Sequence, residues 1–358
     1  MTDVASRYRG LRVLVSGHTG FKGSWLASWL KRGGALVAGI ALPPEEGRPS
    51  LFEAADVGRG MESTLADIRD YANVHRCLAE FQPEVVFHLA AQALVRRSYS
   101  DPVGTFASNV MGTVHVLEAA RLHPGVRAVV IITTDKVYEN REWVWGYREN
   151  DRLGGKDAYS ASKAAAELVA AAYRQTLLPL EGRAATATAR GGNVIGGGDW
   201  SEDRLVPDAV RALLSGQDLV LRNPSAVRPW QHVLELCRGY LQLGTHLLDS
   251  PAAATGAWNF GPERENEVEV GKLVGDFYSA WGHSASRIRI ESSNLKEAGQ
   301  LRLDHSHARH DLGWQPVLGY SATLAWTAEW YRRYHVGGEQ ARVLVDEQIA
   351  RYVELTAG

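Results

Sequence analysis

Cysteine is nearly absent from this chain: only Cys77 and Cys237 occur in 358 residues. Two thiols cannot build a disulfide framework or a four-ligand structural zinc site, so a reducing compartment is expected. Surplus charge is missing as well, since 39 basic against 41 acidic side chains leave a formal net charge of −2. That excludes the basic excess with which a general nucleic-acid binder neutralises phosphates, but it leaves room for a local basic site for a small phosphorylated ligand. Long apolar runs are also lacking. The longest, Val85 to Val95, contains His88 and Gln92 and is too short to span a bilayer, so no membrane partner is expected. Met1 to Gly10 is polar and carries Asp3, Arg7 and Arg9, so no secretory leader is expected and the cytoplasm is the expected location.

What remains is the composition of a folded globule, 45% hydrophobic and 22% charged, long enough for about two domains or one elaborated fold. Leu11 to Val15 is an apolar run ending at a glycine cluster, the pattern of a strand buried on both faces. Phe21 to Lys31 carries Trp25, Leu26, Trp29 and Leu30 at helical spacing. Gly33 and Gly34 stop that helix, and Leu36 to Leu42 reads as the next strand. The rhythm repeats as a helix near Asp70 to Glu80, a strand Glu84 to His88, a helix near Thr105 to Arg121 and a strand Arg127 to Ile132. A helix Tyr159 to Arg174 and a strand Arg183 to Ala189 follow. Such alternation predicts an α/β fold: a Rossmann-like, doubly wound parallel sheet with right-handed crossovers. Beyond Arg190 the texture changes to glycine clusters with scattered prolines and arginines, the pattern of a loop-rich lobe laid over the sheet. Asn259 to Pro262 reads as a late strand returning to it. No linker separates the parts, so the lobe is expected to be interleaved. Residues 1–190 with roughly 228–262 would form the dinucleotide-binding domain, and 191–227 with 263–358 a smaller substrate lobe.

Between the first strand and helix stands Ser16-Gly17-His18-Thr19-Gly20-Phe21-Lys22-Gly23. Gly17 permits a sharp turn, Gly20 lets the backbone approach a pyrophosphate, and Gly23 lets the helix pack on the strand. The helix N-terminus offers free N–H groups to the phosphates. Residues Gly17 to Gly23 are thus candidate dinucleotide ligands, against the alternative of a tight turn with no ligand. Asp67, followed by Ile68, either accepts from an exocyclic adenine amine or caps the next helix. A carboxylate closing the second strand, which would grip the ribose hydroxyls of NAD, is missing: Gly39 to Pro43 holds none and the first is Glu45.

Tyr159 and Lys163 stand four apart on one helical face, where an ammonium near a phenol favours the phenolate and makes the tyrosine a base for a hydroxyl. Upstream, Thr134-Asp135-Lys136 ends a strand at the edge where open α/β sheets bind ligands. Thr134 can bond a sugar hydroxyl, and Asp135 with Lys136 offers an acid and an ammonium in one place. The alternative is a strand-end turn with solvated charges. His305, His307 and His310 read as a polar helix, and no metal site is expected. Most of the 11 tryptophans read as core, with Trp143, Trp145, Trp200 and Trp230 near motifs.

The glycine turn, Leu89-Ala90-Ala91, Asn109, Tyr159 with Lys163, and Asn259-Phe260-Gly261-Pro262 resemble the extended short-chain dehydrogenase/reductase superfamily. Within it the chain is similar to the CDP-glucose 4,6-dehydratase family. The matching blocks are Gly17 to Leu26, Asn140 to Arg148, Gly192 to Trp200 and Arg228 to Val233, within a likeness from Leu11 to Trp314. The chain departs from that family at Thr134 and Val137, where Ser and Cys are usual, and at Ala93, where Pro is common. The resemblance implies a tightly held NAD regenerated in each turnover, with Leu89, Ala90, Ala91 and Asn109 among its ligands. It implies that Tyr159, helped by Lys163 and Thr134, deprotonates the C4 hydroxyl of the hexose. Asp135 would protonate the leaving C6 hydroxyl, and Lys136 would take the C5 proton in place of the glutamate of related dehydratases, a role that calls for a lysine pKa depressed by burial. The product would be CDP-4-keto-6-deoxyglucose, for deoxy sugars of bacterial surface polysaccharide such as lipopolysaccharide O-antigen.

Arginine forks match phosphate geometry, so Arg204, Arg222 and Arg228 are candidate diphosphate ligands, or else solvated surface charges. Asn193 either holds a phosphate or sugar oxygen or supports a glycine-rich turn. Gln92 and Arg96 either face the hexose or cap the following helix. The superfamily habit of pairing helices implies a homodimer or a dimer of dimers. Two other readings compete with the dehydratase: a nucleotide-sugar 4-epimerase, which has no use for both Asp135 and Lys136, and a dinucleotide-binding regulator, which gains nothing from Thr134, Tyr159 and Lys163.

Overall fold

The apolar runs of the first half become the strands of one parallel sheet. They are β1 (Arg12–Ser16), β2 (Leu36–Ala41), β4 (Val85–His88), β5 (Ala128–Ile132) and β6 (Ala185–Gly191), joined by an unexpected, polar and largely exposed β3 (Glu62–Leu65). The computed structural model describes residues 3–178, 184–283, 288–291 and 300–357, so Arg183, expected to open β6, lies outside the described residues. Three short strands follow in the lobe: β7 (Asn193–Ile195), β8 (Leu219–Leu221) and β9 (Val227–His232). The chain then returns with β10 (Gly256–Phe260) before β11 (Glu267–Glu269) and β12 (Ile288–Ile290). The large sheet has the order β10-β6-β5-β4-β1-β2-β3. Strand order reverses between β1 and β4, which opens a crevice beyond their carboxyl ends, the usual ligand position in such sheets.

Alternation of side chains sorts the strands onto two cores. Val13, Val15, Val85, Phe87 and Val130 face Trp25, Trp29 and Leu30 of the helix Phe21–Gly33. Leu14, Val86, Val129 and Ile131 face Leu78 and Phe81 of the helix Tyr71–Phe81 and Val116 and Leu117 of the helix Gly112–Leu122. Local chemistry sets the ends of these helices. Asp70 caps Tyr71–Phe81 by accepting from the Ala72 N–H, Asp157 caps Ala158–Ala172 through the Ser160 N–H, and Gly34 ends the first helix at φ 90°.

Two expectations change. The helix near Thr105 to Arg121 is broken into Pro102–Phe106, a π-turn Ala107–Met111 and Gly112–Leu122. The wide turn swings Asn109 inward, where it is buried. The lobe is also less loop-rich than its glycines suggest. It holds the amphipathic helices Leu205–Ser215 and Val270–Trp281, the helix Tyr320–His335, a three-stranded sheet in the order β11-β9-β7 and a β8-β12 pair. Val227–His232 is the middle strand of the small sheet, whereas the helix Val233–Asp249 packs on β5 and β6, and β10 edges the large sheet. Gly197 explains part of the glycine cluster: a Cβ there would lie 2.0 Å from the ring of Trp330.

Three histidines are buried in this frame. His88 ends β4 with Nδ1 2.7 Å from Ser16 Oγ, the His18 ring packs under Gly39, and His232 lies edge-on to Trp25 and Trp326. Burial pushes their pKa values down from 6.5, to about 3 for His88, about 4 for His18 and about 3 for His232. Each stays neutral in the fold while the unfolded chain charges, so this stability is fully present above pH 6.5 and is lost as pH falls toward the folded values. Each histidine should cost about 2 kcal/mol between pH 7 and pH 5, measured by denaturant titration at both pH values. His232→Phe keeps the ring's shape and should shallow that pH dependence by about 2 kcal/mol whatever its offset at pH 7. An unchanged slope would show that His232 does not drive the acid sensitivity.

Candidate active site

The glycine turn leaves a cradle rather than a filled corner. Gly17 sits at φ 78°, and a Cβ on it would stand 2.7 Å from the Ala90 nitrogen, so the loop after β4 approaches to backbone contact. A Cβ on Gly23 would meet the Gly17 carbonyl oxygen at 2.1 Å. Gly20 precedes the helix Phe21–Gly33 without a side-chain cap, which leaves the first-turn N–H groups pointing at the crevice. A pyrophosphate fits this donor set and the closeness of the backbone. Around it, Thr19 Oγ1 donates to the Leu42 carbonyl at 2.9 Å, His18 Nε2 lies 2.7 Å from Ser63 Oγ, and Phe21 is partly buried. Leu89 and Ala90 are tied to β1, by the Leu89 N–H to the Ser16 carbonyl at 3.0 Å and the Ala90 N–H to Ser16 Oγ at 3.2 Å. Ala91 follows them, partly exposed, along the crevice.

Asp67 does not cap the next helix, because Asp70 does. Asp67 accepts from the backbone N–H of Arg69 at 2.8 Å and pairs with its guanidinium at 2.6 Å. Ile68 is buried against Gly112, and its carbonyl lies 2.9 Å from His115 Nδ1. Gln92 Oε1 accepts from the Leu94 N–H at 2.6 Å and so shapes the turn into the helix Val95–Ser100, while its Nε2 donates to Thr105 Oγ1 at 2.9 Å. Buried Asn109 accepts from the Gln92 N–H at 2.8 Å and donates to the Gln92 carbonyl at 3.0 Å and to Ser162 Oγ at 2.9 Å. The π-turn thereby clamps the loop after β4 to the helix Ala158–Ala172.

That helix carries Tyr159 and Lys163, both buried, past the end of β5. Lys163 Nζ donates to the Ile132 carbonyl at 3.1 Å. Burial, reinforced by nearby Lys22, pushes the Lys163 amine down to about 7 against the opposing pull of Glu167. Partly buried Lys22 is pushed down to about 8 by desolvation and by Arg204. Desolvation raises the Tyr159 phenol to about 12, although a hydrogen bond with Thr134 and the charge of Arg204 lower it. Without ligand the pair is thus a neutral phenol beside a readily neutralised amine, a resting state with less charge than the phenolate expected from spacing alone. Past β5 the chain makes one short turn, Asp135–Val137, with Thr134 Oγ1 accepting from the Lys136 N–H at 3.3 Å. Thr134 Oγ1 also donates to Asp135 Oδ1 at 3.0 Å. Burial raises the Asp135 carboxyl against the pull of Lys136, Thr134 and Arg228, which suits a proton donor. Lys136 is only partly buried.

The lobe supplies the arginines. Arg204 Nη1 lies 3.2 Å from Asp199 Oδ2, and its charge reaches both Tyr159 and Lys22. Arg228 reaches Asp135 electrostatically. Arg96 and Arg222 share the carboxylate of Asp203, at 3.1 and 3.6 Å. Asn193 opens β7, in register with Trp230 of β9.

Sequence reasoning missed the carboxylates behind these cations. Asp199 is buried and also accepts from the Ser201 N–H at 3.0 Å, with its own carbonyl accepting from Tyr331 Oη at 2.5 Å. Glu167, two turns beyond Tyr159, accepts from Thr133, Thr188 and Arg190. A glutamate in the apolar stripe of that helix was the only sign of it. The histidines of the expected polar helix serve packing and surface pairing: His307 stacks on Trp258 at 3.8 Å and lies 3.1 Å from Asp311. Among the described residues no group of three or more His, Cys, Asp or Glu is placed to hold a metal ion.

The GDP-mannose 4,6 dehydratase family model matches residues 14–325. The chain is 45% identical to the CDP-glucose 4,6-dehydratase of Salmonella typhimurium LT2, over 98% of each chain. It is 31% identical to a UDP-glucose 4-epimerase of Mycolicibacterium smegmatis, over 90% of this chain and 99% of that one. A dTDP-glucose 4,6-dehydratase of Streptomyces venezuelae, crystallised with NAD, superposes with a TM-score of 0.78 at 25% identity, covering 92% of this chain and 98% of that one. The chain belongs to the GDP-mannose 4,6 dehydratase family, within the extended short-chain dehydrogenase/reductase superfamily.

Proposed function

We propose that this chain dehydrates CDP-D-glucose to CDP-4-keto-6-deoxy-D-glucose with NAD, as a hydro-lyase. The observation that carries the reading is the grouping of Thr134, Asp135, Tyr159 and Lys163 at the end of β5, in a chain 45% identical over 98% of its length to a CDP-glucose 4,6-dehydratase. Gly17 to Gly23, Asp67, Ile68, Leu89 to Ala91 and Asn109 hold the dinucleotide, which when bound supplies a nicotinamide able to take the C4 hydride and return it to C6. Tyr159 takes the proton of the C4 hydroxyl, with Thr134 orienting that oxygen. The ammonium form of Lys163 stabilises the phenolate, and a pKa near 7 lets it exchange that proton cheaply. The C4 ketone acidifies the C5 proton, which Lys136 removes and gives back to C5 when hydride adds to C6. Asp135, whose carboxyl burial shifts upward, gives its proton to the C6 hydroxyl, which leaves as water. Gln92, Arg96, Asn193, Arg204, Arg222 and Arg228 hold the sugar and its diphosphate.

We also place the protein in a reducing cytoplasm, supported by two free, buried thiols, Cys77 and Cys237. No helix among the described residues is long and apolar enough to cross a membrane. We assign it a homodimer or dimer of dimers, supported by Val103 and Leu168, exposed by 78% and 62% on helices that flank the catalytic one or form it.

The direct test is incubation with CDP-glucose and NAD, read by mass spectrometry of the nucleotide sugar. Loss of one water without accumulation of NADH is expected, whereas an unchanged mass would favour an epimerase. Tyr159→Phe should lower kcat by about a hundredfold or more, with no NADH formed. Asp135→Asn and Lys136→Ala should each form NADH from CDP-glucose but stall before water loss. Full dehydration by the Lys136 variant would remove that lysine from the mechanism.

A further inference from the structure

We propose that Asp203 is a built-in stand-in for the substrate's diphosphate, occupying Arg96 and Arg222 until the diphosphate displaces it. This rests on the reading of those arginines as diphosphate ligands given above. A single carboxylate oxygen, Asp203 Oδ1, lies 3.1 Å from Arg96 Nη1 and 3.6 Å from Arg222 Nη1. The two guanidinium groups come from different parts of the fold, the helix Val95–Ser100 after β4 and the segment just after β8. An oxyanion shared by two arginine forks is the arrangement by which phosphate oxygens are held.

The backbone supports a displaceable contact. Asp203 stands at φ 55°, in the left-handed region that a residue with a side chain adopts at a cost, so releasing the carboxylate also lets the turn relax. The neighbouring residue repeats the connection along a second route. Glu202 binds Arg48 at 2.7 Å, Arg48 binds Glu45 at 2.6 Å, and Glu45 binds Arg97 at 2.9 Å. The turn before the helix Leu205–Ser215 is therefore strapped twice to the helix Val95–Ser100, once directly and once through the loop after β2. All these pairs are partly exposed, so each is weak alone and sensitive to salt. A ligand with two phosphates can satisfy both arginines and outcompete one carboxylate, whereas an uncharged sugar leaves the strap closed. The device makes the diphosphate, rather than the hexose, the part of the substrate that opens the site.

The test is calorimetric titration of the full chain with CDP, for the native protein, Asp203→Asn and Asp203→Gly. Asp203→Asn keeps the size and removes the charge, and Asp203→Gly also removes the left-handed cost. Both variants should bind CDP about threefold to tenfold more tightly. Their affinity should also fall more steeply with added salt than the native one, because in the native chain salt loosens the competing pair as well. Equal or weaker CDP binding by both variants overturns the proposal and leaves Asp203 as a brace for the two arginines. Arg222→Ala is the control for the underlying reading. If it leaves native CDP affinity unaltered, the assignment of that arginine fails, and the proposal with it; if it weakens binding, the Asp203 variants decide on their own.

Discussion

Glu167 and Arg190 meet at 2.9 Å with side chains exposed by no more than 4%, and the ends of several elements converge on the pair. Thr133 beyond β5 and Thr188 on β6 donate to the carboxylate, at 2.6 and 2.7 Å. The guanidinium donates to the Tyr138 hydroxyl at 2.7 Å and to the Glu149 carbonyl at 3.0 Å, and Tyr138 donates on to Asn259 of β10 at 2.7 Å. Burial alone would raise the Glu167 carboxyl, but Arg190 and the two threonines hold it low. The attraction between buried ions roughly offsets the cost of desolvating them, so the value of such a pair lies in geometry. Here it fixes the helix Ala158–Ala172 in azimuth and height against the sheet, and so decides where Tyr159 and Lys163 stand relative to Thr134 and Asp135.

The same pair accounts for the low pKa of Lys163 being no lower. Burial and Lys22 both push the amine down. Glu167, one turn further along the helix, pulls the other way and leaves the amine near neutrality. A structural ion pair thus tunes the proton affinity of a group it does not touch, and the fold and the chemistry share one set of charges.

How much of this was legible depends on whether a residue's meaning is local. Strands buried on both faces read as continuous apolar runs, and the glycine turn is dictated by backbone geometry, so β1, β2, β4, β5, β6 and that turn could be read from the chain, whereas β3, polar and exposed at three of its four residues, could not. The lobe could not. Its strands β7, β8, β11 and β12 are three residues long, too short for a period to show, and Arg204 opens the helix Leu205–Ser215 with no side-chain cap. The block Arg228 to Val233 looks like chemistry but is mostly packing. Trp230 Nε1 donates to the Val268 carbonyl at 3.0 Å, Gln231 Nε2 donates to the Phe260 carbonyl at 3.1 Å, and His232 wedges between two tryptophans. Arg228 acts on the crevice residues through its charge on Asp135. Asp199 and Asp203 carried no signal and Glu167 only its place in an apolar stripe, because their roles are set by tertiary structure.

Lys22, Lys163 and Arg204 act on one another or on Tyr159 through their charges, Arg228 acts on Asp135, and Arg96 and Arg222 meet at Asp203, so cations recur along these elements. The chain meets this in two ways suited to the two kinds of cation. Lysines can give up a proton, so burial lowers them and the charge is partly removed. Arginines cannot, so Asp199 is given to Arg204 and Asp203 to Arg96 and Arg222, while Arg228 acts on Asp135 through its charge. Under the proposed function, a ligand with two phosphates would reverse both adjustments, because its charge would favour the protonated lysines and compete for the arginines. The protonation state of the helix Ala158–Ala172 would then be coupled to occupancy of the lobe, with substrate binding restoring the ammonium beside Tyr159 that spacing alone led one to expect.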